Sequence, residues 1–240
     1  MPTSKLVPPS EAVVKAMILA AGLGRRMLPL TQNTPKPLLE VAGKPLLEHH
    51  ILNLRAAGIT ELVINAAYLA DQIIAFCDDG SRWGVQIQVS VEAEPLETAG
   101  GIIKALPLLG ETPFLVINSD IWCPFPFDQL IECSPLEAGA HLVLVPNPPH
   151  HAGGDFSLEQ GRLLPRGQTA FTYSGIGVYC PQFFRGFASV KQPLKQPLKQ
   201  PLKPLLDAAI TAGKVTGELH AGAWVDVGTP QRLQALNQAG

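Results

Sequence analysis

The six residues from Lys15 to Ala20 (KAMILA) form a short apolar run that stops at Gly22, and no other segment constrains the fold as much. A run this short, with no polar alternation, suits a strand covered on both faces, which needs helices above and below it. The following segments supply them. Lys44 to Gly58 places Leu46, Leu47, His50, Ile51 and Leu54 on one helical stripe, with Pro45 in the first turn and Gly58 as a stop. ELVINAA then reads as a strand, LADQIIAFCDDG as a helix and VQIQVSVE (Val85 to Glu92) as an alternating strand. TAGGIIKALPLLG reads as a helix starting at its glycines, and PFLVINSD as another buried strand. This alternation predicts an α/β fold: an open, mainly parallel, Rossmann-like sheet with helices on both faces.

The second half is less regular. AHLVLVPN and FTYSGIGVYC read as strands joined by a polar, glycine-rich connection, which suits strands added around a substrate pocket. GAWVDVGTPQRLQALNQ reads as a strand and then a helix, with Thr229 as N-cap and Pro230 at the first helical position. From Lys191 to Leu206 the chain repeats KQPL with a proline every fourth residue, so an α-helix cannot continue through it. The expectation is an extended, solvated loop over 191–204, with a proline-rich ligand for a partner domain as the alternative. Residues 1–14 read as a disordered leader and 15–240 as a single domain.

A formal net charge of −2 gives no overall case for a nucleic-acid or membrane-surface partner. The four cysteines (Cys77, Cys123, Cys133, Cys180) form no C-x-x-C pair, so neither a zinc site nor a disulfide framework is signalled, and reduced thiols in a cytoplasm are expected. No stretch reaches the roughly 20 apolar residues of a membrane span, and the start MPTSKLVPPSEAVV lacks the order of a secretory signal.

What the loop after KAMILA grips is the functional question. AAGLGRRM lacks the G-x-x-x-x-G-K-[ST] of a Walker loop, and Met27 stands where a dinucleotide fingerprint needs a small residue. What remains is a glycine turn at the carboxyl end of a strand, where Gly22 and Gly24 let backbone N–H groups approach a phosphate. Arg25, Arg26, Lys36 and Lys44 follow within a stretch whose only acids are Glu40 and Glu48. Lys36 stands between Pro35 and Pro37, which stiffen the backbone and hold it out of a helix. The cluster suits a polyphosphate; solvated surface cations are the other reading. Asp120 follows the apolar FLVIN, at the strand end where open α/β sheets place ligands. Asp226 lies between Val225 and Val227. By the residues alone Asp120 could cap the next turn and Asp226 could pair with a core donor.

LAAGLGRRMLPLTQNTPKPLLEVAGKPLLEH resembles the signature G-x-G-x-R-[LM]-x-P-x-T-x-x-x-P-K-x-L of sugar-1-phosphate nucleotidyltransferases. INAAYL, EPLETAGGIIKAL, VINSD, FTYSGIGVY and WVDVGTPQRL extend the resemblance from Lys15 to about Leu236. It implies an enzyme that joins a nucleoside triphosphate to a sugar 1-phosphate and releases pyrophosphate. It also implies roles: Arg26 on the β and γ phosphates, Lys36 at the α-phosphate and sugar phosphate, and nucleotide contacts at Ala20, Gly22, Gly24 and Arg25. Mg²⁺ would be held by Asp120 and Asp226, with Asn118 among the substrate contacts. Ser119 replaces the glycine usual before the first aspartate.

EPLETAGG resembles the loop in which Thr98, Ala99 and Gly100 read the base edge. Glu97 stands where many guanylyl- and thymidylyltransferases have glycine. EPLET-x-GG, I-x-KALPLLG and NPPHHAGGDFSL are more similar to bacterial N-acetylmuramic acid 1-phosphate uridylyltransferases, which implies UTP as nucleotide and Asn147, Asp155, Ser174 and Gly175 as sugar contacts. No lysine stands in VPNPPH, where some relatives contact the sugar phosphate. The adjacent His150 and His151 are expected to be solvated or structural. A mannose-1-phosphate guanylyltransferase and a non-catalytic nucleotide-sugar-binding subunit are the alternatives; the second needs a lost cation or metal ligand, and Arg26, Lys36, Asp120 and Asp226 are all present. No nucleic-acid, membrane or protein partner is implied.

Overall fold

The computed structural model describes residues 15–133, 135, 137–188 and 199–239. The expected leader at 1–14 and positions 191–198 of the proline repeat lie outside the described residues.

Strand β1 (Lys15–Leu19) runs through two 3₁₀ turns, Arg25–Met27 and Lys36–Leu38, and a small ribbon of β2 (Glu40–Val41) and β3 (Lys44–Pro45), into α1 (Leu46–Ala56). Then β4 (Glu61–Ala66), α2 (Ala70–Cys77), β5 (Gln86–Val91), α3 (Glu97–Leu109) and β6 (Phe114–Asn118) continue the alternation. After β6 come β7 (Ile121–Trp122), α4 (Asp128–Ile131), β8 (Ala140–Val145), the hairpin of β9 (Phe156–Glu159) and β10 (Arg162–Pro165), and β11 (Thr172–Tyr179). The chain closes with α5 (Pro181–Ala188), α6 (Leu202–Thr211), β12 (Val215–Leu219), β13 (Val225–Asp226) and α7 (Pro230–Ala239).

Nine strands form one sheet in the order β5-β4-β1-β6-β11-β8-β12-β10-β9. From β5 to β6 every pairing is parallel. β11 joins antiparallel to both β6 and β8, β12 runs parallel to β8, and the β9–β10 hairpin completes the edge. This is the expected α/β sheet with its added strands. The period of two along β1 divides the core: Ala16 and Ile18 face Leu47, Ile51 and Leu54 of α1, whereas Met17 faces the layer of Ile102 and Ala105 of α3 with Phe184 of α5 and Leu205 of α6. Burial holds Cys77 and Cys123 up at about 12, which suits inert core thiols.

Several boundaries differ from the sequence expectation. α1 begins at Leu46 because Lys44 and Pro45 pair with β2, and α3 begins at Glu97, before the glycines. The expected loop over 191–204 is helical in its last three residues: α6 starts at Leu202 and carries Pro204 in its first turn, where a missing N–H breaks no intrahelical bond. The alternation reading did not include α5, α6, β12 or the β9–β10 hairpin.

His50, on the inner face of α1, is 2% exposed and neither ring nitrogen has a hydrogen-bond partner among the described residues. Burial lowers its pKa to about 4; nearby backbone at Ile121 and the Asp120 charge offset this only in part. Its folded pKa lies below the unfolded value of 6.5. Between those values the unfolded chain binds a proton that the native chain does not, so stability falls as pH drops from 6.5 towards 4. The loss through this window is of the order of 3 kcal/mol, at about 1.4 kcal/mol per pH unit. His50→Leu should flatten this part of the profile in urea titrations run from pH 7 to 4.5; an unchanged slope would place the loss at other groups.

Candidate active site

The three parallel strands β4, β1 and β6 end at one level, with Leu19 in register with both Asn65 and Asn118. Their carboxyl ends open into a cavity of about 360 Å³ lined by Leu19, Ala21, Gly22, Leu23, Lys36, Pro37, Asn65, Glu92, Pro95, Leu96, Glu97, Thr98, Asn118, Ser119 and Asp120. A second pocket shares Gly22, Leu23, Lys36 and Asp120 with it and adds Gly24, Arg25, Arg26, Met27 and Gly228. The two therefore form one cleft. The added part carries two arginines and no further acid, and the first carries the small and apolar groups.

Local sequence builds the cationic end. Gly24 has φ +61, and a Cβ there would lie 2.9 Å from the Thr31 side chain and 3.3 Å from Lys36 Cβ, so only glycine lets the loop fold onto Lys36. The Thr31 hydroxyl donates to Gly24 O at 2.8 Å and Met27 is buried, which leaves Arg25 and Arg26 exposed at the rim. Gly22 has open space where a Cβ would stand. Between Pro35 and Pro37, Lys36 forms a single 3₁₀ turn and no longer helix. Its ammonium, on a 10% exposed side chain, donates to Asp120 Oδ2 at 2.6 Å.

Asp226 comes from β13, which pairs with β7 immediately after Asp120; Val227 N–H donates to Asp120 O at 2.8 Å. Both aspartates therefore come from neighbouring backbone positions, and both offer hard oxygen donors. Asp226 Oδ2 accepts from Arg232 Nη1 at 2.9 Å. Among the described residues no group of three or more His, Cys, Asp or Glu gathers as a ligand set. A Mg²⁺ ion fits such a place when two carboxylates hold it and substrate phosphates and water complete its shell.

The other expected residues divide. Thr98 and Asn118 line the cavity. Ala20, Ala99 and Gly100 are not among its lining residues. Ala20 is buried and its N–H donates to Asn65 Oδ1 at 2.8 Å; Ala99 packs fully inside; Gly100 N–H donates to Gln200 O at 3.0 Å. Asn147, Asp155, Ser174 and Gly175 lie outside both pockets, with their polar atoms engaged within the protein. Asn147 bridges Ala170 O and the Thr172 hydroxyl, and Asp155 accepts from Tyr173 N–H. The Ser174 hydroxyl donates to Val143 O, and Gly175, at φ +87, packs on Asn118. Neither histidine of the pair is simply solvated: His151 meets Asp155 at 3.1 Å, and His150 Nε2 lies 2.5 Å from Arg232 Nη1.

Sequence reasoning assigned no role to Asn65 or Glu92. Asn65 Nδ2 donates to Glu92 Oε1 at 2.7 Å, and Leu96 N–H donates to Glu92 Oε2 at 2.9 Å. Their signal was present in INAAYL and VSVEAEPL as polar residues closing apolar strands, but which partner each meets depends on the sheet order. Glu97 sits at φ +65, the left-handed region, with its side chain exposed at the cavity wall. Glycine adopts this conformation without a Cβ penalty. Glu97→Gly should raise the melting temperature, by about 1 kcal/mol of relieved strain; a lower melting point would show that the carboxylate itself holds the loop.

A nucleotidyl transferase family model matches residues 15–239. N-acetylmuramate alpha-1-phosphate uridylyltransferase of Neisseria meningitidis serogroup B is 47% identical over 228 residues, covering 92% of this chain and 96% of that protein. Mannose-1-phosphate guanyltransferase of Aspergillus fumigatus is 43% identical over 122 residues, which is 50% of this chain and 34% of that protein. Among solved structures, one described as a glucose-1-phosphate thymidylyltransferase of Bacillus anthracis superposes with a TM-score of 0.81 at 21% identity over 94% of each chain. HddC from Yersinia pseudotuberculosis, complexed with GMP-PN, gives a TM-score of 0.73 at 21% identity over 95% of this chain and 99% of that one.

Proposed function

The chain belongs to the nucleotidyl transferase family, and we propose that within it this enzyme joins UTP to N-acetylmuramic acid 1-phosphate, giving UDP-N-acetylmuramic acid and pyrophosphate. The substrate choice rests on one observation: the similarity to the Neisseria uridylyltransferase runs over nearly the whole of both chains, whereas the guanyltransferase similarity stops at about half of this one. Recycling of cell-wall sugar in a bacterial cytoplasm is the setting this reaction implies.

The geometry suits the chemistry. A sugar phosphate, with a second pKa of about 6, is mostly ionised at neutral pH and attacks without a general base. Its phosphate oxygen forms the new bond to the α-phosphorus while the bond to the pyrophosphate oxygen breaks. The obstacle is repulsion between two polyanions, and the remedy is fixed positive charge around the reacting phosphorus. Arg25 and Arg26 at the rim receive the outer phosphates. Lys36 lines both pockets, which supports a role in which its ammonium would face the phosphate shared by the bond that forms and the bond that breaks. Asp120 and Asp226 would hold Mg²⁺, which when bound neutralises phosphate charge and orients the oxygens. Thr98 and Glu97, which line the cavity at the end away from the arginines, would meet the base.

A pyrophosphate-release panel of four nucleoside triphosphates against several sugar 1-phosphates tests the assignment. UTP with N-acetylmuramic acid 1-phosphate should dominate; preference for GTP with mannose 1-phosphate would overturn it, and no turnover with any pair would favour a binding subunit. Lys36→Met should lower kcat by roughly 100-fold or more with a smaller effect on nucleotide binding. Lys36→Arg should recover little, because a wide planar guanidinium cannot take the place of a point charge. Near-normal turnover in folded Lys36→Met would remove this role.

A further inference from the structure

We propose that Arg232 is a positioning residue for Asp226, fixing the carboxylate by Oδ2 so that it is already set to receive a divalent cation; this rests on Asp226 as a metal ligand. The placement of Arg232 is costly by every local measure. It lies in the first turn of α7, where the helix dipole disfavours a cation. Its side chain is only 21% exposed, and its Nε is buried with no acceptor among the described residues. What offsets these costs is the contact of Nη1 with Asp226 Oδ2 at 2.9 Å.

Two further features serve the same contact. His150 Nε2 lies 2.5 Å from Arg232 Nη1 and 3.3 Å from Asp226 Oδ2. A guanidinium has no lone pair to offer, so at the shorter distance the ring nitrogen accepts, and His150 braces the arginine beside Asp226 Oδ2. Gly228 makes the space: a Cβ there would lie 2.4 Å from Arg232 Nη2 and 2.7 Å from Asp226 Oδ1. Gly228 also lines the cationic pocket, so the carboxylate oxygen nearest to it stands just behind the wall that Arg26 and Asp120 share. A ligating carboxylate whose second oxygen is hydrogen-bonded keeps one orientation, and the loss of such a partner weakens metal binding by roughly 10- to 100-fold.

The test is Mn²⁺ binding to the full chain without substrate, read from the free Mn²⁺ electron paramagnetic resonance signal. Arg232→Met should bind Mn²⁺ at least about 10-fold more weakly than the unmodified protein, and Arg232→Lys should recover part of the loss. Arg232→Gln, a shorter polar side chain without the charge, should show the same loss and covers the case in which Arg232→Met does not fold. Equal or tighter binding in folded Arg232→Met, with Asp226→Ala impaired, would overturn the inference while sparing the metal reading. Normal binding in Asp226→Ala would overturn both. Since neither nucleotide nor sugar takes part, the outcome is independent of which substrates the enzyme prefers.

Discussion

A buried chain of hydrogen bonds, from Ala20 N–H through Asn65 and Glu92 to Leu96 N–H, fixes the ends of β1, β4 and β5 against the loop that enters α3. Glu92 and Asn65 are each 3% exposed, so a partner lost from this chain would leave a polar or charged group unsatisfied in the interior. Helix α3 can lie across the pair only because residue 101 is glycine: a Cβ there would come 2.7 Å from both Asn65 Nδ2 and Glu92 Oε1. The glycine loop and the far wall of the cavity are thereby held in one frame. Each loop would otherwise be free to move apart from the other, and a substrate spanning both would have to order them itself.

Within that frame the site is arranged as paired charges. Lys36 faces Asp120 and Arg232 faces Asp226, so each of the two candidate metal carboxylates already has a cation of the protein beside it. Such pairs add little net stability once desolvation is counted, but they hold geometry. Arg25 and Arg26 remain exposed at the rim, so the cleft gathers positive charge locally in a chain whose net charge is negative. This is the local answer that a weakly acidic protein requires if it is to bring two phosphates together.

The strand and helix alternation from Lys15 to Asn118 was legible because each element has its own period and its own stop, as with the stripe of Leu46, Leu47, His50, Ile51 and Leu54 that is buried as its spacing requires. The glycine loop was legible for a similar reason: Gly24, Lys36 and the flanking prolines act within about a dozen residues of one another. The second half was less legible. β12 inserts beside β8 parallel to it, and the β9–β10 hairpin joins through β12 and through the bridge of Phe156 to Phe171, so these strands are stabilised by partners outside their own segments and carry weak local signals. Asn147 and Ser174 fall in segments that read as strands and Asp155 in the connection between them, and their bonds to Ala170, Val143 and Tyr173 follow from how β11 bulges against β8.

The sequence by itself determined the parallel half of the sheet, the loop at its carboxyl edge and the type of charge that loop presents, because hydrophobic period, glycine and proline act over a few residues. Only the tertiary structure decided that Asp226 pairs beside Asp120, that Arg232 and His150 close on Asp226, and that Asn65 and Glu92 fix one wall of the cavity. Asp120 and Asp226 are more than a hundred residues apart, and a hydrogen bond or ion pair between remote side chains is specified by strand order and register, which no local pattern contains.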